Sequence, residues 1–151
     1  MKIGIVYTSI TGNTREVTTI ISDTVIKYTS QCDIFEISQF PYHKIGTFDV
    51  LFLGTYTWGN GEIPQEMKGL YRAFENGSHK EIVTGVYGTG DQFYPHFCGA
   101  VDEFRDMLYV HSNLAATLKI ELAPQKLDQP RIDRFVEVVV ERVNDKKGIT
   151  V

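Results

Sequence analysis

The chain has 151 residues, 42% of them hydrophobic, and a net charge of -4 with no long biased tract. That length suits one compact domain over residues 1–151, and the absence of a basic cluster excludes a nucleic-acid partner. MKIGIVYTSITGNT holds too short an apolar run for a signal peptide, and nothing approaches the roughly 18 apolar residues of a membrane span, so a cytoplasmic protein without membrane contact is expected.

The first element is a strand, KIGIVYT, residues 2–8. A helix follows over 14–28, where Val17, Ile20, Ile21, Val25 and Tyr28 recur at steps of three and four. CDIFEIS (32–38) alternates as a strand, with Ile34 and Glu36 on one face and Phe35 and Ile37 on the other; Cys32 here and the distant Cys98 form neither a CxxC nor a zinc spacing and read as small buried hydrophobes. The stretch QFPYHKIGTF reads as a short irregular connection into a third strand, DVLFLGT. Pro64 then opens a helix whose apolar stripe is Met67, Leu70, Tyr71 and Phe74, and Asn76 and Gly77 stop it. EIVTGVYGT (81–89) is a fourth strand, and a helix runs from about Gly99 through Phe104, Met107 and Leu108. A fifth strand, ATLKIEL, precedes a last helix carrying Ile132, Phe135, Val136, Val139 and Val143, whose mixed charges in ERVNDKKG read as a solvated end.

Five strands are interleaved with four helices, which implies parallel strands joined by right-handed helical crossovers. The first, third and fourth strands are apolar on both faces and belong in the middle of the sheet; the second carries Asp33 and Glu36 and the fifth Lys119 and Glu121, as edge strands do. The strand order 2-1-3-4-5 satisfies this, in an α/β doubly wound sandwich with helices on both faces, and ligands bind at the reversal of winding between strands one and three.

Three loops meet at that edge. Residues 7–14, YTSITGNT, put four hydroxyls (Thr8, Ser9, Thr11, Thr14) with Gly12 and Asn13 at a helix N-terminus, which favours an anion. A hydrolytic P-loop is excluded because no lysine stands between Lys2 and Lys27, and a cysteine-dependent phosphatase because Ser9 stands where the thiolate is required. A receiver domain would need an aspartate where Thr8 and Thr55 close their strands. TYTWGNGE (55–62) presents Trp58 beside Gly59, Asn60 and Gly61; GTGDQFYPHFCG (88–99) presents Tyr94 beyond Gly90 and Asp91. Each aromatic alone reads as core or rim, but two beside a phosphate nest can sandwich a flat ring.

TSITGNT, GTYTWGNGEIP and GTGDQFYPHFCGAVDEF together resemble the short-chain flavodoxins over essentially the full chain, with no insertion in ATLKIEL. The resemblance implies a flavodoxin-like fold, non-covalently bound flavin mononucleotide (FMN), no metal, and a monomeric one-electron carrier that is not itself an enzyme. The implied binding set is Thr8, Ser9, Ile10, Thr11, Gly12, Asn13 and Thr14 around the phosphate; Tyr56, Thr57, Trp58, Gly59 and Asn60 on one side of the ring; and Thr89, Gly90, Asp91, Tyr94, Phe97 and Cys98 on the other. Trp58 and Tyr94 would cover the two flavin faces, and Gly59 with Asn60 matches the family's switching peptide, which turns over on reduction. Glycine and asparagine visit positive φ cheaply, so the match is physically sound.

The implied role is to shuttle electrons from a flavodoxin/ferredoxin NADP reductase-type donor to acceptor enzymes through the low-potential semiquinone/hydroquinone couple. Arg15 and Asn60 depart from the more acidic pattern of many relatives, so a somewhat less negative potential is expected, and the small net charge implies steering toward partners that is weaker and less sensitive to salt. The alternatives are an FMN-dependent NAD(P)H quinone reductase-like enzyme, for which Trp58 and Tyr94 leave little access, and a ribonucleotide reductase activator of the same fold, against which Trp58 argues.

Overall fold

The computed structural model describes residues 1–148, the last three by backbone alone. Five parallel strands, β1 (Ile3–Tyr7), β2 (Cys32–Glu36), β3 (Val50–Tyr56), β4 (His79–Gly90) and β5 (Ser112–Glu121), form one sheet of order β2-β1-β3-β4-β5. Four α-helices intervene: α1 (Asn13–Val25), α2 (Lys68–Glu75), α3 (Gly99–His111) and α4 (Gln129–Gly148). The expected charged helix end is helical to Gly148, and its side chains beyond Asp145 lie outside the described residues.

Period-two alternation divides the core into two layers. Ile3, Ile5, Val50, Phe52, Val83 and Tyr87 pack on α1 and α4, while Val6, Leu51, Leu53, Ile82 and Val86 pack on α2 and α3. β1, β3 and β4 are therefore buried on both faces, as their apolar runs require. β2, at the edge, leaves Ile34 exposed. At the other edge Lys119 of β5 pairs with Asp102 of α3 at 2.9 Å.

Element bounds differ from the sequence reading by a few residues at several places, and four of the differences have a clear local reason. α1 stops at Val25 rather than at residue 28 because the next turn tightens, with Lys27 N–H donating to Thr24 O and Tyr28 N–H to Val25 O, and Tyr28 is exposed. β2 stops at Glu36, whose carboxylate accepts from Ser38 N–H and so starts a 3-10 turn over Ile37–Gln39. The connection that follows is not irregular: Tyr42–Thr47 is a second 3-10 helix, and Phe40 and Phe48 stack edgewise or tilted around Phe35 within 6.3 Å. β5 begins four residues before the expected strand, directly after α3, because Ser112 Oγ donates to Leu108 O and bonds to Thr84 Oγ1 on β4, so no loop is needed between helix and strand.

Candidate functional site

The carboxyl ends of β1, β3 and β4 carry the three loops to one place. After β1, Gly12 takes the left-handed conformation (φ +97°) as the N-cap of α1, which is where a glycine costs nothing. Ser9 Oγ accepts from Gly12 N–H at 3.2 Å and Arg15 N–H at 3.3 Å, so it caps the loop from inside. The amides that an α-helix leaves without intrahelical partners start at Asn13. Thr14 is buried, and its hydroxyl lies 2.8 Å from that of Thr89 at the end of β4.

After β3, Trp58 and Glu62 exchange both backbone hydrogen bonds, each 2.8 Å, closing a tight hairpin. Gly59 (φ +52°) and Gly61 (φ +94°) make the turn, whereas Asn60 is not at positive φ. A Cβ on Gly61 would stand 2.6 Å from His96 Cβ, so the hairpin rests backbone-close on the loop after β4. Thr57 Oγ1 accepts from Ala100 N–H at 3.3 Å, which ties the base of the hairpin to the first turn of α3.

After β4, Asp91 Oδ1 accepts from Phe93 N–H at 2.9 Å and the Asp91 carbonyl from Tyr94 N–H, an Asx turn that thrusts Phe93 and Tyr94 outward. Cys98 closes the loop at φ +51°, with its thiol buried against the carbonyls of Gly88 and Ile120. Burial pushes that thiol up to about 12, and partial burial together with Asp33 pushes the Cys32 thiol up to about 11, so both thiols stay protonated near neutral pH.

Two cavities adjoin between these loops. One, of about 290 Å³, is lined by Ser9, Ile10, Thr11, Asn13, Thr14, Tyr56, Thr57, Trp58, Thr89, Gly90, Asp91 and Leu122. The other, of about 340 Å³, is lined by Thr57, Gly59, Gly90, Asp91, Tyr94, His96 and Cys98. They share Thr57, Gly90 and Asp91, and together they reach the range of roughly 300–1,000 Å³ usual for small-molecule sites. Larger hollows of about 430 and 400 Å³ lie elsewhere, against α2 and beside the N-terminus, but neither is at the winding reversal nor gathers these loops.

The structure thus gathers most of the expected residues. Thr8 is buried and hydrogen-bonded to Glu66 without lining either cavity, Asn60 sits at the hairpin tip, and Phe97 packs against the core next to Cys98. Trp58 is 57% and Tyr94 63% exposed, which leaves each ring a free face. Three residues escaped the sequence reading. Leu122 lines the cavity at φ +53° with its N–H on Gly90 O; nothing in its identity signals a left-handed backbone. His96 stands beside Tyr94 in a loop already singled out. Glu66 accepts from Thr8 Oγ1 at 2.9 Å and Tyr56 Oη at 2.7 Å, joining the first two loops from outside.

Burial pushes the Glu66 carboxyl up, but the hydrogen bonds from Tyr56, its own amide and Thr8 outweigh it and hold the group below the usual glutamate value. Burial, and then the Glu66 hydrogen bond and charge, push the Tyr56 phenol up, so it remains a donor.

The donor set suits a phosphorylated flat ligand. Hydroxyls and helix-end amides gather at one end, and aromatic side chains with glycine backbone gather at the other. No lysine or arginine lines either cavity, so an anion there is held by dipoles.

A doubly wound sheet of this order, with its ligand cavity at the reversal of winding, defines the flavodoxin-like class of α/β proteins. The sequence profile described as flavodoxin matches residues 5–129. Probable flavodoxin 1 of Bacillus subtilis (strain 168) is 37% identical over 123 residues, covering 80% of this chain and 78% of that protein. Oxidised flavodoxin 2 from Bacillus cereus superposes with a TM-score of 0.87 at 31% identity, covering 94% of this chain and 99% of that one. The flavodoxin of Streptococcus pneumoniae TIGR4 superposes with a TM-score of 0.88 at 29% identity, with the same coverage. The chain belongs to the flavodoxin family.

Proposed function

We propose that this protein is a one-electron carrier that holds FMN non-covalently in the paired cavities. It takes electrons from a flavodoxin/ferredoxin NADP reductase-type donor and delivers them to acceptor enzymes through the low-potential couple between the half-reduced and fully reduced cofactor. It works as a single cytoplasmic domain and as a monomer; its two free, protonated thiols suit a reducing compartment.

The observation that carries the reading is the pair of adjoining cavities, rich in hydroxyls at one end and flanked by aromatics at the other. FMN supplies reversible one-electron chemistry when bound. Ser9 to Thr14 would hold its phosphate, with Trp58 and Tyr94 on either side of the ring and Thr89, Gly90, Asp91 and Cys98 along its polar edge. Asp91 lines both cavities without a lysine or arginine among the lining residues, so additional negative charge on the ligand costs free energy. That supports the low-potential couple as the working one. The amides and carbonyls of residues 59–61, at the hairpin tip between the paired Trp58 and Glu62, are the groups that can exchange a proton-linked hydrogen bond with the ring edge. Two aromatic walls leave little room for a second substrate, which favours a carrier over a quinone reductase.

The test is spectroscopic. Apoprotein mixed with FMN should turn yellow, and partial reduction by dithionite should bring up a long-wavelength blue absorption. A colourless protein that takes up no FMN would sink the reading, and turnover of quinone by NAD(P)H without an added reductase would replace it with the enzyme.

A further inference from the structure

The phenol of Tyr87 has no place in the cavity, yet it is fully buried on the α1 side of the sheet. A hydroxyl at that depth is costly unless bonded. It lies 2.6 Å from Thr18 Oγ1. Counting protons gives the direction of that bond: Thr18 uses its one hydroxyl hydrogen on the carbonyl of Thr14, 2.8 Å away, so Tyr87 donates and Thr18 accepts. Burial pushes the Tyr87 phenol up, which keeps it a donor.

The ring has its position forced on it by its ladder partner, Gly54. A Cβ on Gly54 would stand 2.3 Å from Tyr87 Cζ and 2.5 Å from its hydroxyl oxygen, so only glycine lets the phenol pass across β3 to reach α1. Two residues further along β4, Thr89 bonds the side chain of Thr14. One residue at the first turn of α1 is thereby held to one strand twice, at its side chain by Thr89 and at its carbonyl by Tyr87 acting through Thr18. The two threonine hydroxyls carry two hydrogens and share one bond, which leaves one hydrogen for an acceptor in the cavity that both line.

We propose that Tyr87 is a positioning residue for the phosphate end of the cavity. Through Thr18 it fixes Thr14 and the first turn of α1 where their donors meet the phosphate, and so sets how strongly the protein prefers FMN to riboflavin. The inference rests on reading the cavity as an FMN site. Its physics is preorganisation: donors held at bonding distance before the ligand arrives lose no ordering entropy on binding. Riboflavin, lacking the phosphate, gains nothing from that order.

The experiment measures dissociation constants of the full-length apoprotein for FMN and for riboflavin by quenching of flavin fluorescence. Tyr87→Phe removes one hydroxyl and keeps the ring; Thr18→Val removes the relay, and Thr18→Ser restores it. Tyr87→Phe and Thr18→Val should each weaken FMN binding about threefold to tenfold, the worth of one hydrogen bond, and leave riboflavin binding unchanged. Thr18→Ser should bind FMN like the wild type, and amide exchange at Asn13 and Thr14 in the apoprotein should quicken in the two hydroxyl-deleted variants. Equal losses for both flavins, or no loss with Tyr87→Phe, would overturn the positioning role while leaving the FMN site intact. A wild type that binds no FMN would overturn both. Should Thr18→Val not fold, Tyr87→Phe decides the matter alone.

Discussion

Residues 8–14 and residues 57–62 leave neighbouring strands at the same edge of the sheet, and they are held in different ways. The first loop is anchored by side chains reaching far along the sequence: Thr8 to Glu66, Thr14 to Thr89, and Ser9 inward onto its own amides. The second is held at its base by Thr57 and closed by two backbone bonds between Trp58 and Glu62, with Trp58, Gly59 and Asn60 all exposed. A loop that must hold a charge gains from fixed donors. A peptide that must turn over needs few bonds to break and residues that tolerate positive φ. The contrast is therefore what the proposed carrier requires, and it can be attacked from both sides.

The largest effect should come from breaking the rigid side. Thr14→Val removes the bond to Thr89 and leaves a buried hydroxyl without a partner, which should cost about 1–3 kcal/mol in denaturant unfolding and at least as large a share of FMN affinity. Unchanged stability would mean that the first loop is not anchored as described.

The hairpin can be sharpened by comparing its two glycines. Gly61→Ala combines φ +94° with a Cβ 2.6 Å from His96, whereas the Cβ of a residue at Gly59 meets nothing nearer than Glu62 Oε2 at 3.6 Å, and only its φ of +52° opposes substitution. Thermal melts should therefore fall further for Gly61→Ala than for Gly59→Ala, the latter losing about 1–2 kcal/mol from backbone conformation alone. Gly59→Val should disfavour the half-reduced protein much more than it weakens FMN binding in redox titrations. Equal losses would count against a hinge at that peptide.

The smallest effect lies where the two regions are joined. Glu66 binds Thr8 of one loop and Tyr56 beside the other, and its carboxyl is held below the usual glutamate value in the folded chain. The unfolded chain then binds the proton more readily. The contribution is fully present above the usual glutamate value and is lost as pH falls from there through the folded value. Glu66→Gln should lose that small contribution at neutral pH, leave strongly acidic stability almost unchanged and so flatten the acid side of the profile; melts from neutral to strongly acidic buffers would detect it. A steeper acid limb in the variant would contradict the assigned hydrogen bonds.

The alternation of strands and helices was legible because each element advertises its own period, and the strand order followed because Ile3 to Tyr7, Val50 to Leu53 and Ile82 to Tyr87 have no polar face to give to water. The hydroxyl-rich loop at the start of α1 and the two exposed aromatics were legible as local chemistry. The stretch from Ile37 to Phe48 was not: its 3-10 turns draw their stability from Phe40, Ile45 and Phe48 entering the core beneath Phe35, and no period shows that. Nor was the early start of β5, where Ser112 takes its partners from α3 and β4.

By itself, the sequence determined the fold class, the winding reversal and which three loops meet there, since burial pattern and turn chemistry act over a few residues at a time. Only the tertiary structure decided that Thr14 meets Thr89, 75 positions away, that Tyr87 reaches Thr18 across 69, and that Gly54 is bare to let it pass. Hydroxyls carry no periodicity, and a hydrogen bond is satisfied only within about 3 Å, a distance that exists only after the sheet has brought its strands together.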